Sequence, residues 1–229
     1  MKTIGLLGGM SWESTQTYYR LLNENVRSAL GGLHSAKVIV YSVDFAEIEA
    51  LQHQGQWDET ATILSAAARA VEAAGADVLL IGTNTMHKVA AQIEQSIAIP
   101  LLHIADATAR VLLDAGIERV GLLGTRFTME QAFYRERLER QGIEVLTPDA
   151  SQRERVHQVI YEELCQGVIR ASSKTDYLAV VESLAKRGAQ GVILGCTEIG
   201  LLVQQADTRV PLFDTTHIHA EQAVVYALG

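Results

Sequence analysis

The chain has 229 residues, of which 48% are apolar and 20% are charged, and its formal net charge is −8 at pH 7. This composition supplies a sizeable hydrophobic core and excludes an intrinsically disordered chain. It also argues against a nucleic-acid-binding protein, because such proteins need a basic surface that displaces the counterions of the phosphate backbone.

Strand-like and helix-like segments alternate along the chain. The predicted strands are short apolar runs rich in β-branched residues, at 4–7, 38–43, 78–81, 120–123 and 192–194. The predicted helices have apolar residues at the spacing of one helix face, at 14–30, 58–74, 129–141 and 176–187. Runs that are apolar at every position are typical of strands buried on both faces of a parallel sheet. The alternation therefore predicts an α/β fold with parallel sheets.

Three short landmarks occur twice in the same order. Gly-Leu-Leu-Gly at 5–8 recurs at 121–124, the segment 74–83 matches 187–196, and 99–102 matches 210–213. The chain is therefore predicted to contain two pseudo-symmetric copies of one α/β unit, at about 1–98 (joined by 209–229) and 99–208. Ligands of open α/β sheets bind beyond the carboxyl ends of the strands. We expect the active site in the cleft between the two copies, with Thr83 and Cys196 at equivalent positions.

The residues at the predicted strand ends do not match a familiar cofactor or metal site. The glycine pair at 8–9 lacks the spacing of a P-loop or a dinucleotide fingerprint, and Asp44 lies too far along the chain to be the acid that binds a ribose. Lys88, near a strand end, is interpreted as a surface lysine rather than a Schiff-base residue. His217 and His219 lack the spacing of a zinc-binding helix. We therefore predict no cofactor and no metal.

The two cysteines occupy different settings. Cys165 falls in a predicted helix, 156–168, and is interpreted as a small buried apolar side chain. Cys196 directly follows a strand, and a helix is predicted to begin at Thr197 and Glu198, whose amides would stabilise a thiolate. Two cysteines make no disulfide framework, and no apolar run is long enough to span a membrane. We therefore expect a cytoplasmic protein with no membrane partner.

Three motifs resemble those of the aspartate/glutamate racemase family of cofactor-independent amino-acid racemases. They are Gly-Leu-Leu-Gly-Gly-Met at 5–10, Thr-Asn-Thr-Met-His at 83–87, and Gly-Cys-Thr-Glu at 195–198. The family usually has Cys-Asn-Thr-x-His at the second motif. The resemblance runs from end to end, includes the duplication, and is closest to the enterobacterial branch specific for L-aspartate and L-glutamate, which has Thr at the first cysteine position.

The resemblance implies a homodimeric racemase of acidic amino acids. Cys196 would be the base that removes the Cα proton of the L-enantiomer, and Thr83 would lie on the face where a proton is returned. A threonine hydroxyl is far too weak an acid to stand ready as an alkoxide, so Thr83 cannot replace a thiolate base. Gln52 takes the place of the basic side chains with which family aspartate racemases bind the distal carboxylate. The substrate-binding residues that the resemblance implies are Met10, Gln52, Asn84, Thr85, Thr125, Thr197 and Glu198.

Two other functions stay open at this point. The superfamily's arylmalonate decarboxylases also carry one cysteine in the second half, so a decarboxylase or isomerase of a small dicarboxylate could use Cys196 as a proton donor. A racemase fold that only binds an acidic amino acid is the third possibility. The intact Gly-Cys-Thr-Glu motif around Cys196 favours an enzyme over a binding protein.

Overall fold

The computed structural model describes all residues, Met1–Gly229. The chain divides into two compact units, of which unit 1 comprises Met1–Ile104 and His219–Gly229, and unit 2 comprises Ala105–Ile218. No helix has the combination of length and apolar composition that crossing a bilayer requires.

Unit 1 alternates strands and helices. Its elements are β1 (Ile4–Gly8), α1 (Trp12–Leu30), β2 (Val38–Ser42), α2 (Phe45–Gln54), α3 (Trp57–Ala73), β3 (Val78–Ile81), a 3-10 helix (Thr85–Val89) and α4 (Ala90–Gln95). The strands are parallel in the order β2-β1-β3. Every residue of β1 and β3 is buried, which explains why both read as continuous apolar runs.

The two faces of the unit 1 sheet bury different helices, because successive residues of a strand point to opposite sides. One face packs against α2 and α3, through residues that include Leu7, Ile81, Ile48, Leu64 and Val71. The other face packs against α1 and the last helix of the chain, through residues that include Ile4, Leu6, Tyr18, Leu22, Ala223 and Val224. The sheet is thus covered on both sides.

Unit 2 repeats the alternation. Its elements are α5 (Ile104–Asp114), β4 (Arg119–Gly124), α6 (Arg126–Glu130), α7 (Ala132–Glu139), β5 (Glu144–Leu146), α8 (Ala150–Glu162), a 3-10 helix (Leu164–Gln166), α9 (Ala171–Lys186), β6 (Val192–Gly195), α10 (Ile199–Leu202), a 3-10 helix (Gln205–Asp207) and β7 (Leu212–Asp214). The last helix, α11 (Thr215–Leu228), begins in unit 2 and belongs to unit 1 from His219 onwards. The strands are parallel in the order β5-β4-β6-β7. Residues of α8 and α9, among them Val156 and Tyr177, pack on one face of this sheet.

The registers of the two sheets confirm the internal duplication. In each unit, the strand that carries the first repeated segment pairs with the strand that carries the second. The second segment in turn pairs with the third. The equivalent pairs are Gly5 with Leu79 and Gly121 with Val192, then Leu79 with Leu101 and Val192 with Leu212. The two units therefore share one order of strands, with the single bridge at Leu101 standing where unit 2 has the whole of β7.

The division between the units lies at 104/105 and 218/219, beyond the expected boundaries at 98/99 and 208/209. The boundaries differ because the last strand position of each repeat pairs within the unit to which that repeat belongs. Leu101 bridges to Leu79 within unit 1, and β7 pairs with β6 within unit 2.

Three predicted helices differ from the structure. The helix expected over 129–141 is divided into the end of α6 and α7, because Gln131 is extended with φ −84° and ψ 149°. The helix expected over 156–168 ends at Glu162, because Glu163 leaves helical geometry with φ −126° and ψ −67°. Cys165 therefore lies in the short 3-10 helix Leu164–Gln166. The helix expected from Thr197 begins only at Ile199 and makes a single turn before Val203 becomes extended.

Candidate functional site

The loop after β1 is held in place by hydroxyl groups. The Gly9 amide donates to Thr15 Oγ1 at 2.7 Å, and the Thr15 hydroxyl donates to the Ser11 carbonyl at 2.9 Å. Ser11 also caps α1 by accepting from the Ser14 amide, at 3.3 Å. The Ser14 hydroxyl donates to the Gly82 carbonyl at 3.0 Å. These bonds connect the first turn of α1 to the residue that follows β3, and they hold the loop between β1 and α1 in place.

Gly9 is the residue that this loop requires. Its φ is +86°, in the region that favours glycine, and a Cβ placed on it would collide with the backbone nitrogen and oxygen of Val43. The loop backbone can therefore lie against the end of β2 only because this side chain is missing.

The segment after β3 carries three of the predicted site residues. Thr83 is half-buried, whereas Asn84 and Thr85 are buried. His87 Nδ1 lies 2.8 Å from the Thr83 carbonyl oxygen, and the Ile104 amide donates to His87 Nε2 at 3.2 Å. Since Nε2 accepts this proton, Nδ1 carries the ring proton and donates it to Thr83. His87 thus fixes the backbone of the residue that was predicted to serve one face of the substrate.

A second buried histidine stands beside His87. The ring centroids of His87 and His219 are 5.9 Å apart. His219 Nε2 donates to the Leu102 carbonyl at 2.8 Å, which leaves Nδ1 to accept from the Tyr18 hydroxyl at 2.9 Å. Burial lowers the pKa of His219 from 6.5 to about 4, so this ring is neutral near pH 7.

The remaining predicted residues of unit 1 are buried close to this segment. Gln52 has its amide nitrogen 3.6 Å from the sulfur of Met86, and Met10 belongs to the same apolar cluster as Met86. The Lys88 ammonium lies over the indole ring of Trp57, 3.8 Å from its centroid, as a cation–π contact.

In unit 2, the residues that follow β4 and β6 lie side by side. Gly124 pairs with Gly195 in the sheet, and Thr125 and Cys196 are the next residues. Thr125 is the N-cap of α6 and accepts from the Thr128 amide at 3.3 Å. Its hydroxyl therefore has a structural task in addition to the predicted role in substrate binding.

Cys196 and Glu198 form a buried pair in the turn between β6 and α10. Cys196 is 8% exposed and Glu198 is 3% exposed. The Cys196 thiol donates to Glu198 Oε2 at 2.9 Å, and the Thr197 hydroxyl donates to the same oxygen at 2.6 Å. The turn thus gathers the thiol, the hydroxyl and the carboxylate of the Gly-Cys-Thr-Glu motif at one point.

The surroundings of Cys196 correct the expectation of a thiolate stabilised by helix amides. Burial, followed by the negative charge of Glu198, raises the pKa of the Cys196 thiol well above its usual value. A hydrogen bond from the Glu198 backbone acts in the opposite direction, but it is the smaller effect. Because α10 is a single turn, it does not supply the amides of a full helix, and the resting thiol is protonated.

The structure gathers the predicted site residues into two groups, one in each unit. Met10, Gln52, Thr83, Asn84 and Thr85 belong to unit 1, and Thr125, Cys196, Thr197 and Glu198 belong to unit 2. Three side chains that hold the first group in place were not among the predicted site residues: Ser11, Thr15 and His87. Two signals were present in the sequence: a serine directly before a helix is a typical N-cap, and His87 closes the second motif. No three His, Cys, Asp or Glu side chains converge in a geometry that suits a metal ion.

Comparison with known proteins gives one consistent family. Residues 7–223 match the family model described as Asp/Glu/hydantoin racemase. The broad specificity amino-acid racemase RacX of Bacillus subtilis strain 168 is 24% identical over 96% of both chains. A candidate Asp/Glu racemase from Yersinia pestis has a crystal structure that matches with 58% identity and a TM-score of 0.93, over 100% of both chains. An aspartate racemase homologue from Pyrococcus horikoshii OT3 matches with 35% identity and a TM-score of 0.88, also over 100% of both chains.

Proposed function

Since the chain belongs to the Asp/Glu/hydantoin racemase family, we propose that it racemises L-aspartate and L-glutamate without a cofactor. Racemisation removes the proton from Cα and returns a proton to the opposite face, so it needs a base and an acid at the same carbon. The observation that carries the proposal is the buried Cys196 thiol at the end of β6, hydrogen-bonded to Glu198.

Cys196 removes the Cα proton of the L-enantiomer in this mechanism. The thiol first becomes a thiolate, and the thiolate then takes the Cα proton, which leaves a carbanion on the substrate. Thr83, at the equivalent position of the other repeat, serves the opposite face. A hydroxyl can pass on a proton that a water molecule or a neighbour supplies, but it is a poor base, so we expect a lower kcat for the D-enantiomers than for the L-enantiomers.

Polar groups at the strand ends bind the substrate. Asn84, Thr85 and Thr197 donate hydrogen bonds to the α-carboxylate, where charge develops in the transition state. Gln52 and Met10 line the end that receives the substrate's side chain, and an amide there accepts both the aspartate and the glutamate chain length. The two remaining groups are the Thr125 hydroxyl and the Glu198 carboxylate, and the latter attracts the substrate ammonium.

The proposal includes a homodimer in the cytoplasm, with neither cofactor nor metal in the reaction. Activity is then expected to survive both EDTA and hydroxylamine, which traps carbonyl cofactors such as pyridoxal phosphate. Strict dependence on an added divalent ion or on pyridoxal phosphate would contradict it. The molar mass measured by light scattering checks the dimer, and a monomer at micromolar concentration would speak against it.

Deuterium wash-in tests the proposed function directly. L-Aspartate and L-glutamate are incubated with the protein in D₂O, and exchange at Cα is followed by NMR together with inversion. Exchange should be lost in Cys196→Ala and retained in the matched control Cys165→Ser, because only Cys196 lies at a strand end. Retention of exchange in Cys196→Ala would reject the assignment of the base. Release of CO₂ from malonates, without exchange on amino acids, would identify a decarboxylase instead.

A further inference from the structure

The two cysteines of unit 2 belong to one packed region. Cys196 is a member of the unit 2 core cluster, together with Leu164 and Ile199, and Cys165 packs against the same cluster. The helix α10, which follows Cys196, lies against the 3-10 helix that carries Cys165. The structure therefore brings together two thiols from different segments of the chain.

The pKa values in this region indicate that the two sulfur atoms are close. Burial raises the pKa of the Cys196 thiol most, followed by Glu198 and then by Cys165, whose effect exceeds that of the hydrogen bond to Glu198. Burial also raises the pKa of the Tyr177 hydroxyl, and both cysteines add to this rise. Because the interaction between charges weakens with distance, each cysteine lies near the other and near Tyr177.

We propose that a hydroperoxide joins Cys165 and Cys196 in a reversible disulfide, which makes the pair an oxidation site that inactivates the protein. The loss of activity rests on the proposed function, because a sulfur held in a disulfide cannot become the thiolate that removes the Cα proton. The formation of the disulfide does not depend on that function. Cys165 thereby has a chemical role in addition to its packing.

Exposure and protonation decide which thiol is oxidised first. Cys165 is half-buried and reaches solvent, whereas Cys196 is 8% exposed. The thiolate is the form of cysteine that attacks a peroxide, and the raised pKa of Cys196 keeps its thiol protonated. A small hydroperoxide therefore reacts at Cys165, and Cys196 completes the disulfide.

The two steps balance in atoms and electrons. The Cys165 thiolate attacks the peroxide, so an S–O bond forms, the O–O bond breaks, and water or an alcohol leaves. The sulfenic acid on Cys165 is then attacked by the sulfur of Cys196. The S–S bond forms, the S–O bond breaks, and the departing hydroxide takes the thiol proton of Cys196 to give water. The peroxide is reduced, and the two thiols are oxidised.

Both cysteines lie in short segments rather than in long elements. A disulfide requires the two Cα atoms to lie within about 7 Å of each other. Cys165 lies in the 3-10 helix Leu164–Gln166, which follows the break at Glu163 and ends at Gly167 with φ +71°. Cys196 lies in the turn before the single turn of α10. Small changes in the backbone angles of these segments bring the sulfur atoms together without disturbing a strand or a long helix.

Intact mass spectrometry of the full chain tests the disulfide without any substrate. The protein is treated with hydrogen peroxide under native conditions, quenched with N-ethylmaleimide and denatured only afterwards. The unmodified chain, which has two cysteines, should lose about 2 Da, the mass of the two hydrogens given up when a disulfide forms, and dithiothreitol should reverse the change. Cys165→Ser and Cys196→Ser each keep one cysteine and should not show this loss. An unmodified chain that only gains oxygen, keeps both thiols or forms disulfide-linked dimers overturns the inference, whether or not the variants fold.

Deuterium wash-in on L-aspartate and L-glutamate tests the effect on activity. Exchange should fall in proportion to the disulfide-linked fraction and return with dithiothreitol. In Cys165→Ser, prolonged treatment should cause a loss that dithiothreitol does not reverse, because Cys196 is then oxidised to a sulfinic acid. Exchange that persists in fully disulfide-linked protein, or that Cys165→Ser loses and regains as the unmodified chain does, overturns the inference. If the untreated chain exchanges no acidic amino acid, the racemase proposal fails, whereas the reversible loss of mass still supports the disulfide.

Discussion

At the scale of single residues, the two repeats present different chemistry at equivalent positions. Cys196 follows β6 and Thr83 follows β3, and the paired registers of the two sheets make these positions equivalent. A thiol with a carboxylate beside it can become a thiolate, whereas a threonine hydroxyl cannot become an alkoxide near neutral pH. A symmetric fold therefore carries an asymmetric pair of side chains.

Restoring a thiol at position 83 is expected to remove this asymmetry. Thr83→Cys should increase Cα exchange on the D-enantiomers at least ~10-fold, which corresponds to about 1.4 kcal/mol of activation free energy. Thr83→Ala should leave proton removal from L-substrates partly intact while slowing the formation of D-product. Deuterium wash-in, measured beside inversion for each enantiomer, gives both rates.

The equilibrium between the enantiomers constrains how the asymmetry of these variants can be measured. Enantiomers have equal free energies in achiral solution, so kcat/KM stays equal in the two directions, and the asymmetry must appear in kcat and KM separately. If Thr83→Cys gains nothing on D-substrates, or if Thr83→Ala racemises as fast as the unmodified protein, Thr83 does not serve the opposite face.

At the scale of elements, the length and apolar composition of a strand decide whether the sequence predicts it; β2 was predicted from its apolar run although its last three residues are exposed. β1, β3, β4 and β6 lie in the middle of their sheets or are buried throughout, so their apolar runs are continuous. β5 and β7 have three residues each and include the charged Glu144 and Asp214, so neither was predicted as a strand. Short strands at sheet edges leave little pattern in a sequence.

The bond between Cys196 and Glu198 shows why the site was only partly predictable. Residues two positions apart do not face each other on an α-helix, and a helix was expected to begin at Thr197. The structure delays that helix to Ile199, and the intervening turn lets the thiol reach the carboxylate. The motif identified the residues, but their contact depends on where a one-turn helix begins.

The Gly9 loop gives a prediction about stability at this scale. Gly9→Ala should lower the free energy of unfolding by about 3 kcal/mol, from the left-handed backbone and from overpacking against Val43. The matched control is Gly55→Ala, where φ is +72° and a Cβ would meet nothing within 4 Å. That variant should lose only about 1 kcal/mol. Urea denaturation measures both, and equal losses would mean that the contact with Val43 is unimportant.

At the scale of the whole molecule, the buried His219 links stability to pH. It is bonded to Tyr18 and to the Leu102 carbonyl, and its pKa falls from 6.5 to about 4 because the ring is buried. Between these values the unfolded chain binds a proton at this position more readily than the folded protein does. The contribution is therefore fully present above pH 6.5 and is lost as the pH falls towards 4.

The expected loss from His219 is about 2 kcal/mol between pH 7 and pH 5. Urea denaturation at both pH values measures it, and His219→Gln should lack this part of the pH dependence. His34 is exposed, so His34→Gln should keep the dependence of the unmodified protein. A His219→Gln variant with an unchanged pH dependence would show that other groups are responsible.

The interrupted course of unit 1 sets an order for folding during synthesis. Residues 105–218 of unit 2 leave the ribosome as one continuous stretch, between the two parts of unit 1. Ala220, Ala223 and Val224 in α11, which cover Ile4 and Leu6 of β1, are made only afterwards. A nascent chain therefore holds every residue of its second unit while one face of its first sheet is covered only by α1 and still lacks α11. Domains usually fold in the order in which they are made, but here the unit that is begun first is the one that is completed last.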